Sequence, residues 1–128
     1  METILQSIES DHQQIIEWLS NVQFCADELG VFRKQLSEIS AKNSQFEVRA
    51  MIEHFENQFI IKKELIDTNK HLLRAHEHEL KERAARHPYH IHHHYLRENK
   101  QLTNTVESFL ASFTDLKDEF NQFRSKHL

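Results

Sequence analysis

Apolar residues recur along this chain at intervals of three and four. The first run is Ile4, Ile8, His12, Ile15, Leu19, Val22, Ala26, Leu29, Phe32, Leu36 and Ile39, the spacing of a helix with one buried face. Its phase passes through Gly30 undisturbed, so the pattern predicts one long helix from about residue 2 to about 40. The polar stretch Ser40-Ala41-Lys42-Asn43-Ser44 interrupts it, and Ser44 followed by Glu47 has the form of a capping box, which places a second helix start near residue 45. The second run is Val48, Ile52, Phe55, Phe59, Lys62, Ile66, Asn69, Leu73, His76 and Leu80. Pro88 ends that helix, because proline lacks an amide donor and disfavours helix in the residue before it. A third run follows as Ile91, Tyr95, Glu98, Leu102, Val106, Phe109, Phe113, Leu116, Phe120 and Phe123.

Helices over 2–40, 45–86 and 88–126 have nearly equal lengths, each on the order of 60 Å. Equal lengths with short links predict an all-α, antiparallel up-down-up bundle of three long helices forming one domain over residues 1–128. The alternative is a four-helix bundle, with the chain broken at Gly30 and near Asp67-Thr68-Asn69. Folding the chain about residue 42, and again between residues 87 and 88, predicts layers. Phe32 falls beside Ile52 and Phe123, Leu29 beside Phe55 and Phe120, His12 beside Leu72, Leu73 and Leu102, and Ile8 beside His76 and Glu98. The end near the 40–44 link is then rich in phenylalanine and the opposite end holds the polar seam residues. Trp18, Phe24 and Phe46 fall off the best seams, and all three exposed together would mark a partner surface.

Composition agrees with this reading. One Gly and one Pro in 128 residues leave few connections other than short polar links between helices. A single cysteine, Cys25, cannot close an intramolecular disulfide, and neither a leader nor a long apolar span is apparent, so a cytoplasmic protein is expected. A net charge of −4 supplies no general basic field, which argues against nucleic acid and anionic membrane as partners. No enzyme signature is present: Cys25 has no Cys-x-x-Cys partner, and phosphate-cradling glycine loops are absent. The expectation is a non-enzymatic protein without a cofactor, working through a protein partner or self-association. Long rods with a high surface-to-core ratio favour such contacts.

The anomaly is eleven histidines. His12, His76 and Glu98 lie on the predicted seams at the polar end. Imidazoles and a carboxylate pointing inward from facing helices are how bundles bind iron, zinc or manganese. A polar layer that fixes register is the competing reading. His54 and Gln58, four apart on one helix face, make a second candidate metal pair. His87, His90, His92, His93 and His94 form a dense cluster around Pro88, expected at the surface, in which His90 and His94 have chelating spacing.

Several of these pieces resemble hemerythrin-like domains. Asp11-His12 with Ile15 is similar to their opening Asp-His motif, His54 with position 58 to their His-x-x-x-Glu, and Glu77-His78 to their Glu-His. The resemblance implies a four-helix di-iron bundle, a metal sensor or store. Position 58 departs from it, being Gln where that family has a bridging carboxylate, and the last helix has no histidine in its core stretch. The segment His54-Phe55-Glu56-Asn57-Gln58-Phe59 also resembles one in small all-helical bacterial proteins, a likeness that implies a fold and no activity.

Overall fold

The computed structural model describes residues 4–86 and 95–128, the side chains of residues 4–7 and of Glu98 excepted. His87, His90, His92, His93 and His94 therefore lie outside the described residues, as does the side chain of Glu98. The described chain is all-α. Helix α1 runs Ile4–Lys42, α2 Phe46–Arg86, α3 Tyr95–Glu98 and α4 Lys100–His127.

The first two helices are unbroken over 39 and 41 residues, so the four-helix division does not occur. Gly30 lies within α1 without a positive φ, and Asp67–Asn69 lie within α2. A glycine inside a helix costs about 1 kcal/mol relative to alanine, which is small beside the burial gained along the rest of α1. The second helix begins at Phe46, where Gln45 O accepts from Arg49 N, one residue after the start set by a Ser44 capping box. The third predicted helix is corrected more substantially. Its described part starts at Tyr95, and Asn99 (φ −107°, ψ 58°) separates α3 from α4. The interruption is one residue wide: Asn99 N donates to Tyr95 O and Thr103 N donates to Asn99 O, so helical phase carries across it.

Paired contacts give the directions of the helices. From α1 to α2, Ser40 meets Arg49, Phe32 meets Phe59, Gln23 meets Lys70 and His12 meets Glu77, so position rises in one helix as it falls in the other. Phe55 against Phe123 and Phe59 against Phe120 run α4 opposite to α2, while Glu28 with Lys117 and Gln35 with Arg124 run α4 alongside α1.

Toward the α1–α2 link the core is rich in paired phenylalanine rings. Phe32 lies 5.0 Å from Phe120, 6.3 Å from Phe59 and 6.4 Å from Phe113, ring centre to ring centre. Phe55 lies 5.2 Å from Phe120 and 5.1 Å from Phe123. Each such ring contributes on the order of 2 kcal/mol by leaving water, with further gain from tilted ring pairs. The Phe55–Phe120 layer matches the predicted register of α2 against α4. The register of α1 does not: Phe32 packs among Phe59, Phe113 and Phe120 instead of beside Ile52 and Phe123. The cause is the position of the fold-back. Helix α1 continues to Lys42 and α2 starts at Phe46, so the chain turns about residue 44 and not 42. Moving the turn by two residues moves every α1–α2 pair by about four positions, one helical turn, which is the larger part of the seven positions from Ile52 to Phe59 at Phe32.

The α1–α2 link is held by side chains. Asn43 Nδ2 donates to Ile39 O at 2.8 Å, and the Arg49 guanidinium donates to Ser40 O at 2.9 Å and to Ser40 Oγ at 2.8 Å. Two carbonyls at the end of α1, which lack helical partners, are satisfied in this way.

Candidate functional site

The polar end is built around Tyr95, which is 1% exposed although it opens α3. Its hydroxyl donates to Glu79 Oε2 at 2.8 Å, and its oxygen is hydrogen-bonded to His76 Nδ1. With the phenol proton directed to Glu79, His76 presents Nδ1–H as donor. The Arg83 guanidinium stands 5.2 Å from the centre of the Tyr95 ring, a cation–π distance. From α1, the buried Asp11 accepts from Leu96 N at 3.4 Å. Beside this, His12 Nε2 lies 3.3 Å from Glu77 Oε2 without making a hydrogen bond, and Lys81 reaches the other Glu77 oxygen at 3.9 Å.

This arrangement changes the two seam histidines. Among the described side chains of α1 the buried positions are Asp11, Ile15, Trp18, Val22, Cys25, Leu29, Phe32, Leu36 and Ile39. That seam shares Ile15, Val22, Leu29, Phe32, Leu36 and Ile39 with the predicted one and replaces His12, Leu19 and Ala26 by Asp11, Trp18 and Cys25. His12 is therefore on the flank of α1 that faces α2, beside Glu77. His76 is likewise on a flank of α2, turned to Tyr95. Adjacent positions in a helix differ by 100°, so His76 and Glu77 serve different neighbours. Trp18, expected off the seam, is 6% exposed and in the core, while Phe24 and Phe46 are 60% and 85% exposed; the three do not form one exposed surface.

His54 bridges another pair of helices, its Nε2 standing 2.8 Å from Glu119 Oε1 on α4. Gln58, one turn along α2, is partly buried. His54 and His76 are 22 positions apart on one helix, on the order of 33 Å, so the two candidate metal sets are separate. In the first, His12 lies by Glu77 and His76 by Tyr95 and, at 4.0 Å, Glu79; in the second, His54 lies by Glu119. Among the described residues no three His, Cys, Asp or Glu side chains group closely enough to hold a metal ion. His78, of the Glu77-His78 pair, is an exposed residue 3.9 Å from Glu82 along its own helix.

Two polar residues occupy core positions. Asn69 is 1% exposed; its Nδ2 donates to Leu65 O at 2.8 Å, and its buried Oδ1 has no hydrogen-bond partner. Lys62, one heptad before it, is 8% exposed. Burial pushes the Cys25 thiol up to about 11, with the nearby Glu28 carboxylate adding to the effect, so the thiol stays protonated near neutrality.

Among the described residues the openings between helices are shallow grooves, one of them about 350 Å³ and lined by Arg33, Leu36, Ser37, Ser40, Glu56, Phe59 and Ile60. They lack the enclosure with converging polar groups that small-molecule sites use. What sequence periodicity missed is the apolar surface. Ile60 and Ile61 are 52% and 46% exposed, Val31 is 53% exposed, and all three lie in mid-helix. The signal for the first two was present: in Phe59-Ile60-Ile61 three consecutive side chains fan over 200°, and Phe59 alone fits the seam. Among the described residues no helix is long and apolar enough to cross a membrane. Comparison with family models, with curated proteins and with solved structures finds no match, so the hemerythrin-like resemblance gains no support.

Proposed function

We propose that this chain is a non-enzymatic helical protein that works through protein–protein contacts, as a homo-oligomer or an adaptor. The observation that supports the reading is the placement of large apolar side chains on the outside of long helices. Phe24 and Val31 on α1, and Ile60 and Ile61 on α2, are each close to half exposed or more, and none sits at a helix end. Single exposed apolar residues are ordinary on soluble proteins. Pairs of them along rigid rods of about 40 residues offer the hydrophobic anchors by which helices recognise other helices. The polar end fits a structural role in this reading, since His12 and His76 are matched with a carboxylate and a phenol on neighbouring helices.

The test is site-specific photo-cross-linking in growing cells, with the reactive residue introduced in turn at positions 24 and 60 of the full chain. Adducts of one or a few discrete sizes above the 15.4 kDa monomer are expected. Only monomer at both positions would overturn the reading.

A further inference from the structure

Gly30 is a residue for which the fold of one chain has no use. Its backbone is helical, no positive φ calls for glycine, and a Cβ built there would meet nothing within 4 Å. Glycine is the poorest helix residue after proline, and it is most useful where another backbone must come close. The surroundings of Gly30 point outward. Val31, next to it, is 53% exposed, and Asp27 and Lys34 are exposed on the same side of α1 one turn to either side. Gln23 Nε2 donates to Asp27 Oδ1 at 3.0 Å and so holds that carboxylate on this face. Lys34 makes no ion pair among the described residues.

We propose that this outer face of α1 binds a second copy of the chain, antiparallel, about a two-fold axis passing between Gly30 and Val31. The proposal rests on the protein-contact reading above and names the partner. An interface between identical chains must be complementary to itself, and this face is. Two-fold pairing sets the Val31 side chain of each copy into the gap at Gly30 of the other. The same operation sets Asp27 opposite Lys34 twice, and small Ser20 opposite small Ala41 at both ends. The contact spans about 32 Å of helix. A parallel pairing in register would place Asp27 against Asp27 and Lys34 against Lys34, which repel.

Sedimentation of the full chain over a wide concentration range, extending to several hundred micromolar, tests this. The wild type is expected to pass from monomer to dimer. Gly30→Gln fills the gap, and Asp27→Lys sets lysine against lysine; each is expected to weaken dimerisation by about tenfold or more, the scale of a like-charge or steric clash. The exchange Asp27→Lys with Lys34→Asp is expected to restore dimerisation to within about threefold of wild type, since charge complementarity returns. Gly30→Gln is also expected to raise the melting temperature of the monomer, so its loss of association cannot be assigned to misfolding. A wild type that stays monomeric overturns the proposal while leaving an adaptor role open to the cross-linking test. A dimer insensitive to both single substitutions, or one that the charge exchange fails to restore, overturns this face as its interface.

Discussion

At the scale of single residues, the outcome of folding turns on size where two periodic readings compete. Trp18 and Leu19, or Cys25 and Ala26, each offer α1 a three-and-four pattern, and both patterns pass through Ile15, Val22 and Leu29. The structure buries the larger member of each pair, Trp18 and Cys25, leaving Leu19 and Ala26 partly buried on the flank. Spacing could show the face but not which of two neighbours lay at its centre, because each choice rotates the helix by 100° or less. The same rotation carries Asp11 inward and His12 outward. One consequence is measurable at Cys25. A buried thiol pushed up to about 11, against 9.0 ordinarily, ionises in the unfolded chain before the folded one. Stability therefore falls as pH rises from about 9 to about 11, because the unfolded state loses its proton first, by up to roughly 2 kcal/mol. Urea unfolding across this range should show wild type losing that much more than Cys25→Ala. Equal losses in the two proteins would mean that the thiol is not held in its neutral form. Thiol reagents near pH 8 are expected to react with the folded chain far more slowly than with the urea-unfolded chain.

At the scale of elements, a four-residue helix cannot stand on its own hydrogen bonds, and α3 persists because its neighbours hold it. Tyr95 supplies the anchor, with its ring buried, its hydroxyl on Glu79 and His76, and Arg83 over its face, while Asp11 holds the next residue by its amide. Tyr95→Phe keeps the ring and removes only the hydroxyl. It is expected to cost about 1 kcal/mol in urea unfolding at neutral pH, because Glu79 is exposed enough to regain water while His76 is mostly covered. Unchanged stability would mean that the hydroxyl contributes nothing to holding α3. Tyr95 was legible in the sequence as a seam residue. Its polar partners were not, because Glu79 and Arg83 lie on a flank that no apolar period marks. Nor was the break at Asn99: Tyr95 and Leu102 keep a seven-residue spacing across it, and a one-residue interruption leaves that phase intact.

At the scale of the whole molecule, sequence periodicity carries the fold class and the extent of α1 and α2, but register depends on where the chain turns. A seam of threes and fours is nearly self-similar under a shift of one turn, so two such helices can slide by about four positions and still bury apolar faces. Here the turn is fixed by Asn43 and Arg49 at the end of α1, and the layers follow from it. The candidate site inherits the same shift, which brings His12 to Glu77. A double-mutant cycle can read the register directly. Phe32 and Phe120 are 5.0 Å apart by ring centres, so Phe32→Leu and Phe120→Leu should couple by about 0.5–1.5 kcal/mol, the range for aromatic pairs in contact. Phe32→Leu with Phe123→Leu, a pair that meets only through Phe120, should couple less strongly than Phe32 with Phe120. Leucine keeps both positions apolar, so each variant retains a core while losing the ring pair. Coupling to Phe123 with none to Phe120 would place α1 one turn away from the packing described here, and would move the histidine–carboxylate contacts of the polar end along with it.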